Sequence, residues 1–456
     1  MTTKPTPKRK RSPDAAAALE PIEPSHPHRR LPHGTPPKGV TILDHGHVTS
    51  PQGFLAGAAY AGIKTLGADP LDVGILVSQH PATCAAVFTK SSVKGAAVLH
   101  SMMAARSGHA RGVVVNAGIS NVGTGREGQQ HAAEMTRLAA DRITALSPVA
   151  ADWAARSRDG QVQSSELLVG STGVIGRPLP MDKIRSGIAG IELSHNGGPL
   201  FARAIMTTDT HPKTMAVRFT IGRTEYRIGA VAKGSGMIHP DMATMFCFLT
   251  TDAPVDLRLL RTAFREAVDD SLNMLSVDAD TSTSDTAAIF ANGAAGGAAI
   301  ALGSDAAAKF QSALRYVCIE MAKTLARDGE GAQKLIEVRI EGASSDKEAR
   351  AAARTVTASP LVKTAVHGND PNWGRLLMAV GRSYVRINLD RARAWIGDVP
   401  VYNRGPLDFD ARAASRALDR EHVVLRVDLA VGAAHATAWG CDMTPDYVHI
   451  NADYTT

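Results

Sequence analysis

Residues 233–244 (Lys-Gly-Ser-Gly-Met-Ile-His-Pro-Asp-Met-Ala-Thr) place a threonine behind a small residue at the end of a glycine-containing run. A threonine hydroxyl is a weak nucleophile at neutral pH. Breaking the preceding peptide bond improves it greatly, because the new α-amine can take the proton of the same hydroxyl. Ala243 and Thr244 therefore form a candidate cleavage site, with Thr244 as the nucleophile. On residue type alone a structural threonine is the more common case, since internal Ala-Thr pairs are frequent.

A second glycine-containing segment, 170–176 (Gly-Ser-Thr-Gly-Val-Ile-Gly), could supply hydrogen-bond donors to a reaction centre. Acyl transfer passes through a tetrahedral oxyanion, which needs donors aimed where the charge develops. The Thr172 hydroxyl and the Gly173 N–H are suitable donors, and a glycine lets the backbone approach closely. The alternative interpretation is an ordinary glycine-rich turn.

Three further positions could bind a charged small molecule. Thr207 opens a Thr-Thr-Asp-Thr run, which could equally be a polar turn or a helix cap. Lys233 is a cation near Thr244 in the sequence and would attract a carboxylate, unless it is a surface lysine. Glu330 follows a glycine just beyond a long predicted helix, where it would attract an ammonium group or remain a solvated loop carboxylate.

Together these segments resemble the ornithine acetyltransferase (ArgJ) family, over nearly all of residues 40–456. The resemblance is carried by the segments 171–176, 207–210, 231–253 and the ending Asn-Ala-Asp-Tyr-Thr-Thr at 451–456. Members of that family cut themselves before a threonine and move an acetyl group through it. Two departures stand out: Asp241 replaces a frequent asparagine, and Ala117 and Ile119 alter the segment 116–125. If that segment shapes the acyl-donor pocket, donor preference would be unusual.

The resemblance implies a glutamate N-acetyltransferase of arginine biosynthesis. N-acetylornithine would acetylate Thr244, ornithine would leave, and glutamate would take the acetyl group in a ping-pong reaction. The family places its oxyanion hole at Thr172 and Gly173 and its cleavage between Ala243 and Thr244. Its substrate-binding positions correspond to Thr207, Lys233, Thr244, Glu330, Asn451 and Thr456.

The same resemblance implies no metal and no cofactor, with acetyl-CoA as a conceivable second donor. The sequence does not separate a monofunctional from a bifunctional enzyme, nor a paralogue with another acyl group. The two fragments are expected to stay associated as an α2β2 assembly. Two other classes stay open: a hydrolase of the related self-processing aminopeptidase group, in which water takes the acyl group, and an uncleaved amino acid-binding protein.

Composition is that of a soluble globular protein, with 21% charged and 44% hydrophobic residues in 456. The first 40 residues carry eight Lys and Arg against three acids, which leaves the remainder near neutral and argues against nucleic-acid binding. That proline-rich tail, 1–39, is predicted to be disordered. No run of about 18 apolar residues predicts a membrane helix or partner. The cysteines lack metal or Cys-x-x-Cys spacing, which indicates a reduced, cytoplasmic protein.

These candidate residues must be positioned by a fold of mixed helices and strands. Hydrophobic periodicity predicts helices over 127–140, 181–191, 257–275, 306–327 and 345–361, and strands over 71–77, 110–116, 335–341, 383–388, 422–428 and 446–451. The segment 91–100 is ambiguous. Because strands come in runs as well as alternating with helices, the pattern favours α+β with layered sheets over a doubly wound parallel sheet.

The resemblance sharpens that fold to an αββα sandwich with a smaller C-terminal α/β lobe at about 345–456. Cleavage would divide the folded body into fragments 40–243 and 244–456 that share one core. The acidic segment 278–285 could pass for a calcium loop, but it lacks the glycine and closing glutamate that such a loop requires. We interpret it as structural.

Overall fold

A computed structural model describes residues 33–64, 69–146, 162–239 and 245–453. The strands in these ranges are β1 (Val40–Ile42), β2 (Phe54–Ala59), β3 (Val73–Ser78), β4 (Thr83–Phe88), β5 (Gly112–Ile119), β6 (Leu167–Val174), β7 (Lys213–Ile221), β8 (Thr224–Lys233), β9 (Phe246–Thr251), β10 (Leu275–Ser276), β11 (Thr286–Ala291), β12 (Leu335–Ala343), β13 (Arg393–Ile396), β14 (Val399–Asn403), β15 (His422–Asp428) and β16 (Ala434–Cys441).

The helices in the same ranges are α1 (Ala96–Ala105), α2 (Gly125–Ala145), α3 (Met181–Gly190), α4 (Gly198–Ala204), α5 (Leu257–Asp269), α6 (Asp305–Arg327), α7 (Asp346–Thr357), α8 (Pro360–His367), α9 (Trp373–Gly381), α10 (Ala411–Leu418) and α11 (Pro445–Asp453). Within the described ranges no helix is both long and apolar enough to cross a membrane.

Two sheets face each other. The first has the order β1-β7-β8-β9-β11-β4, and only its β9–β11 pair is parallel. The second has the order β2-β3-β5-β6, with β5 and β6 parallel. Both sheets are buried on two faces, which explains why strands such as β3 and β5 read as continuous apolar runs instead of alternating.

Three packed layers of side chains confirm the αββα sandwich. Side chains from both sheets meet in a core that includes Leu168, Phe246 and Phe248. Helices α2 and α3 cover the outer face of the second sheet, where Val114 packs. Helices α5 and α6 cover the outer face of the first sheet, where Leu249 packs. The layered α+β prediction is therefore correct.

A third sheet, in the order β10-β16-β12-β15-β13-β14, forms the C-terminal α/β lobe, with α7 packed on β12 and β16. The predicted start of this lobe at about 345 is too late, because the central strand β12 precedes it. Its apolar residues also join the core under α5 and α6, so the lobe shares that core. The strand predicted over 335–341 is present as β12: one face buries Ile336, Val338 and Ile340, and the other carries the buried Glu337 and the exposed Arg339.

Two predicted strands are wrong. Residues 383–388 form no strand; Val385 and Ile387 pack against the core from a coil, without a neighbouring strand to pair with. Residues 446–451 lie in the helix α11, which begins at Pro445 and carries Asp446 in its first turn. Proline at the first turn and an acid near the helix N-terminus favour that outcome over a strand.

Three other predictions change in extent. The ambiguous segment 91–100 contributes to α1. The helix predicted over 257–275 ends at Asp269, and the Ser271 hydroxyl beyond it donates to the carbonyl of Ala267 at 2.5 Å, a side-chain bond that competes with helix continuation. The helix predicted over 345–361 is two helices, α7 and α8, since Pro360 cannot continue the first and instead starts the second.

The tail predicted over 1–39 also needs correction at its end, because residues 33–39 are described and His33 and Gly34 contact α6. The Gly34 N–H donates to Glu320 at 3.0 Å, and the Tyr316 hydroxyl donates to the Gly34 carbonyl at 2.7 Å. His33 lies 3.3 Å from the same carboxylate. These buried polar partners order a segment whose composition alone predicts disorder. Residues 1–32 lie outside the described residues.

Candidate active site

Strand periodicity places Lys233 and Thr172 in the layer between the two sheets. Val231 of β8 and Leu168 of β6 face that layer, and residues an even number of positions apart on a strand share a face. The Lys233 Nζ accordingly crosses from β8 to β6 and donates to Thr172 Oγ1 at 3.1 Å. Two segments that are 61 residues apart in sequence are thus joined by one buried ammonium group.

The same ammonium group also binds Thr207. Its Nζ donates to Thr207 Oγ1 at 2.9 Å, and Lys233 is only 2% exposed. Burial lowers the pKa of Lys233 and so does the nearby charge of Lys213, while Asp209, Glu330 and Asp285 raise it without restoring its ordinary value. Lys233 is therefore neither a surface lysine nor an isolated cation, and three of the predicted site residues are in direct contact.

Gly173 lies against Gly118, its register partner in the parallel pair β5–β6. The two residues have φ of 123° and 112°, which L side chains rarely adopt. A Cβ on Gly173 would lie 2.3 Å from the carbonyl carbon of Gly118. The close backbone approach expected at this position is present. Ala117, one of the two departures from the family pattern, is the register partner of Thr172, so the altered segment borders the candidate oxyanion hole.

A buried cluster of three charged residues, Lys213, Asp209 and Asp328, lies beside the site. Lys213 Nζ lies 2.5 Å from Asp209 Oδ1 and 2.5 Å from Asp328 Oδ2, and the side chains of all three are at most 1% exposed. Burial lowers the pKa of Lys213, but the two carboxylates together raise it above its ordinary value. Burial raises the pKa of Asp209 and Asp328, but Lys213 and their other donors hold both below the ordinary range. All three groups are therefore charged at neutral pH.

Asp209 connects this cluster to the site. Its carboxylate accepts the Thr207 N–H at 3.0 Å and the Gly234 N–H at 2.7 Å. One carboxylate therefore binds both Thr207 and Gly234, the residue next to Lys233 in the chain. Asp209 thereby fixes the position of Thr207 relative to Lys233.

Glu330 reaches the site through residues 235 and 236. Its N–H donates to the Ser235 carbonyl at 2.9 Å. Its carboxylate packs so closely on Gly236 that a Cβ at that position would lie 2.3 Å from Glu330 Oε2. Asn451 Nδ2 of α11 donates to the same Oε2 at 2.9 Å. Glu330 and Asn451 are thus in contact with each other, and the Glu330 carboxylate lies beside Gly236, which follows Lys233 by three residues in the chain.

Three of the predicted site residues are not among the described residues. Ala243 and Thr244 lie outside the described residues, and so does Thr456. Met245, the residue after Thr244, is described: its N–H donates to Asp285 Oδ1 at 2.9 Å at the start of β9. Phe246 is the register partner of Lys233 across β8–β9.

Sequence reasoning assigned no site role to four residues of this region: Asp209, Lys213, Asp328 and Asp285. Asp209 and Lys213 stand four positions apart with opposite charges, which is a usable local signal. Asp328 follows Arg327 in a polar segment and carries no signal that points to Lys213. Asp285 closes the acidic segment interpreted as structural, and nothing local predicts that it contacts Met245.

Metal ligands and thiol nucleophiles do not gather in the described part of the chain. No group of three or more His, Cys, Asp and Glu there could hold a metal ion. The four cysteines are buried, and burial raises the pKa of the Cys247 thiol to about 12, far from the range of a reactive thiolate.

The chain is similar to known proteins over most of its length. The ArgJ family model matches residues 55–456. The arginine biosynthesis bifunctional protein ArgJ of Symbiobacterium thermophilum is 48% identical over 414 residues, which cover 90% of this chain and 99% of that relative. Its counterpart from Dehalococcoides mccartyi is 43% identical over 418 residues, covering 91% and 99%.

Two solved structures are also similar in sequence. The crystal structure of the arginine biosynthesis bifunctional protein ArgJ from Bacillus halodurans is 39% identical, covering 46% of this chain and 98% of that chain, with a TM-score of 0.44. An ornithine acetyltransferase complexed with ornithine from Mycobacterium tuberculosis is 33% identical, covering 44% and 98%, with a TM-score of 0.37.

Proposed function

The chain belongs to the ArgJ family, and we propose that it is a self-processing glutamate N-acetyltransferase of arginine biosynthesis. It carries acetyl from N-acetylornithine to glutamate through an ester on Thr244. The relatives that support this assignment are named as bifunctional proteins of arginine biosynthesis, and the chain spans 99% of each.

The observation that carries the proposal is the buried contact of Lys233 with Thr172. An ammonium group can only donate hydrogen bonds, so Thr172 Oγ1 must accept from it. The hydroxyl hydrogen of Thr172 is then available to another acceptor. A developing oxyanion is such an acceptor, and the neighbouring Gly173 N–H is the second donor that we assign to it.

Acetyl transfer follows from these groups. Thr244 Oγ attacks the acetyl carbon of N-acetylornithine while its proton passes to the α-amine of Thr244, whose ordinary pKa of about 7.7–8 suits a base near neutral pH. Thr172 and Gly173 hold the oxyanion. The bond to the ornithine nitrogen then breaks, and that nitrogen takes the proton from the α-ammonium. The amine of glutamate attacks the acetyl ester by the same steps in reverse.

Substrate binding uses the cation and the carboxylates of the site. We assign Lys233 and Thr207 to a substrate carboxylate, and Glu330 with Asn451 to a substrate ammonium group. The buried position of Lys233 strengthens its attraction to a carboxylate, because water does not screen it. Thr456 stays a predicted contact.

Assembly and setting are part of the same proposal. Fragments 1–243 and 244–456 remain associated, since β8 and β9 lie side by side in one sheet although the cleavage site separates them. Two such pairs form the expected α2β2 assembly. The enzyme works in the cytoplasm without a bound cofactor. Acetyl-CoA serves as a second donor if this chain is bifunctional like its named relatives.

The proposal is tested by intact mass and N-terminal sequencing of the purified protein, followed by an assay of acetyl transfer. We expect two fragments, one beginning at Thr244, and acetylglutamate formed from N-acetylornithine and glutamate. An intact chain of 48.0 kDa that binds amino acids without turnover would show that the protein is a binding protein and not an enzyme. Release of acetate that does not depend on glutamate would show that the enzyme is a hydrolase and not a transferase.

Replacement of Thr172 by valine is expected to lower kcat by about 10²–10³, because one oxyanion donor is lost from a side chain of unchanged shape. KM for N-acetylornithine should change little, since the donor acts on charge that develops only in the transition state. Steady-state kinetics of the processed enzyme would measure both constants.

The matched control is Ser171→Ala. Ser171 precedes Thr172 on β6 and points to the opposite face, and within the described residues its buried hydroxyl has no hydrogen-bond partner. This variant should retain the wild-type kcat. An unchanged kcat for Thr172→Val would show that the Thr172 hydroxyl is not a donor of the oxyanion hole.

A further inference from the structure

A cavity in the C-terminal α/β lobe is lined by three arginines, Arg391, Arg393 and Arg404. Its volume is about 600 Å³. Cavities of about 300–1,000 Å³ are the size in which proteins bind small molecules. The arginines belong to the β13–β14 hairpin or adjoin it, at the edge of the third sheet opposite β10. The cavity is therefore a candidate ligand site to which acetyl transfer assigns no role.

Strand register brings the lining side chains together. Arg393 is the register partner of Asn403 on β14 and of Asp428 on β15. Directly paired residues share one face of a sheet, so these three side chains lie in a row across three strands. One step beyond the paired strands, the Arg404 N–H donates to the Ala392 carbonyl at 3.0 Å, which holds Arg404 against the start of β13. The hairpin thus gathers guanidinium groups at one of its ends.

The backbone of Arg404 is fixed in an uncommon conformation. Its φ is 61°, in the left-handed region that residues other than glycine rarely adopt. The hydrogen bond to Ala392 and a bond from the Asn403 N–H to the Gly405 carbonyl, at 2.9 Å, maintain this turn. A side chain carried by fixed backbone loses less freedom when a ligand binds, so Arg404 is partly preorganised.

The charges around the cavity do not balance. Asp428 is the only acid among the described lining residues, and its Oδ2 lies 2.6 Å from a guanidinium nitrogen of Arg393. Its Oδ1 accepts the Ala430 N–H at 2.9 Å, so both carboxylate oxygens are occupied. Within the described residues, Arg391 and Arg404 form neither an ion pair nor a side-chain hydrogen bond. Two guanidinium groups thus line the cavity without an acidic partner.

The guanidinium groups select the chemistry of the ligand. Each is planar and permanently charged, and it donates two parallel hydrogen bonds to a phosphate or a carboxylate. One anionic group would leave either Arg391 or Arg404 unpaired. A diphosphate carries two adjacent anionic groups and offers one to each arginine.

We propose that this cavity binds a small molecule bearing a diphosphate group, with Arg391 and Arg404 as its principal donors. Arg393 adds a third guanidinium when the diphosphate competes with Asp428 for it. The diphosphate can be free pyrophosphate or part of a nucleotide. The proposal is independent of the proposed function, because none of these residues takes part in acetyl transfer.

Isothermal titration calorimetry of the purified protein with pyrophosphate tests the proposal, at low ionic strength and with a chelator present. The variants are Arg391→Gln/Arg404→Gln and the matched control Arg258→Gln/Arg265→Gln. The control arginines are exposed on α5 and form no ion pair within the described residues, so both variants lose the same charge. We expect Kd to rise about 100-fold in the first variant, about tenfold for each charged donor lost, and little in the control.

A third variant should change the affinity in the opposite direction. Asp428→Asn keeps an acceptor for the Ala430 N–H but removes the charge that Arg393 binds. Kd for pyrophosphate should fall about two- to fivefold, the contribution of a partly exposed ion pair. Tighter binding does not result from misfolding, so this variant decides the matter if thermal unfolding shows that the arginine variant does not fold.

Adenosine diphosphate, titrated in the same way, distinguishes the two sources of the diphosphate. Equal Kd values for it and for pyrophosphate identify the diphosphate alone as the group bound, and tighter binding of adenosine diphosphate identifies a nucleotide. Four results overturn the proposal: no binding of either compound to wild type, equal weakening in the two arginine double variants, weaker binding by Asp428→Asn, or binding of the dicarboxylate malonate as tight as that of pyrophosphate. None of them bears on acetyl transfer, which is assayed separately.

Discussion

Replacement of Thr244 by alanine is expected to abolish both chain cleavage and acetyl transfer. The hydroxyl attacks Ala243 in the first reaction and the acetyl donor in the second, so one substitution removes the nucleophile of both reactions. Loss of an enzyme's covalent nucleophile typically lowers kcat by about 10⁶. Cys247, the nearest thiol in the sequence, cannot substitute, because it is fully buried and burial raises its pKa to about 12.

Denaturing mass spectrometry of the full chain and an acetyl-transfer assay would measure the two effects. Thr244→Ser is the control, since serine keeps the hydroxyl and the α-amine after cleavage, and it should retain both reactions at reduced rates. A Thr244→Ala chain that still splits would move the cleavage site elsewhere. An uncut Thr244→Ala chain that still transfers acetyl would show that Thr244 is not the nucleophile of acetyl transfer.

The second large effect concerns Lys213 and the stability of the fold. Lys213→Met keeps most of the side-chain volume but leaves Asp209 and Asp328 buried without the cation that they share. Removing one partner of a buried ion pair costs about 3–5 kcal/mol. We expect a decrease of that size in the free energy of unfolding at about pH 8, measured by urea denaturation.

The pH dependence of this loss identifies its cause. In the wild-type protein the two carboxylates have lowered pKa values and are charged in the folded state. Without Lys213 their folded pKa values rise, so they take up protons on folding as the pH falls. The difference in unfolding free energy between wild type and variant should therefore be smaller at about pH 5 than at about pH 8.

Lys363→Met provides the matched control. Lys363 is also fully buried, at 1% exposure, but its Nζ donates to the backbone carbonyl of Cys441 instead of a carboxylate. This variant should lose stability by an amount that changes little over the same pH interval. If the Lys213→Met loss is equally insensitive to pH, its origin is packing and not the paired charges.

Loss of Lys213 is also expected to disturb the site. Asp209 holds Thr207 and Gly234 through their N–H groups, and Lys213 holds Asp209. Any residual enzyme activity of Lys213→Met should show raised KM values, because the substrate-binding groups lose their fixed spacing.

Much of the fold is local in origin and was predictable. The helices over 127–140 and 306–327 repeat apolar residues every three or four positions, and both form as α2 and α6. Strands β3, β5 and β15 also follow their aliphatic runs, with β15 fully buried on one face only. The failures at 383–388 and 446–451 are short segments in which an alternating pattern had no partner strand, and pairing is a property that no local pattern contains.

What the sequence by itself determined is the chemistry that two adjacent residues and their flanking motifs can perform. Ala243 and Thr244 define a cleavage hypothesis, and Thr172 with Gly173 defines a pair of donors, because each depends on neighbours along the chain. Glu330 and Asn451 could be named from motifs before their contact was known.

The tertiary structure alone decided which of these groups meet. Lys233 contacts Thr172 and Thr207 over sequence separations of 61 and 26 residues, and Asp285 contacts Met245 over 40. These contacts depend on strand register and on the stacking of two sheets, which arise from burial of the whole core. The buried state of Lys213 has the same origin: an ionisable group acquires its environment only when distant strands close around it.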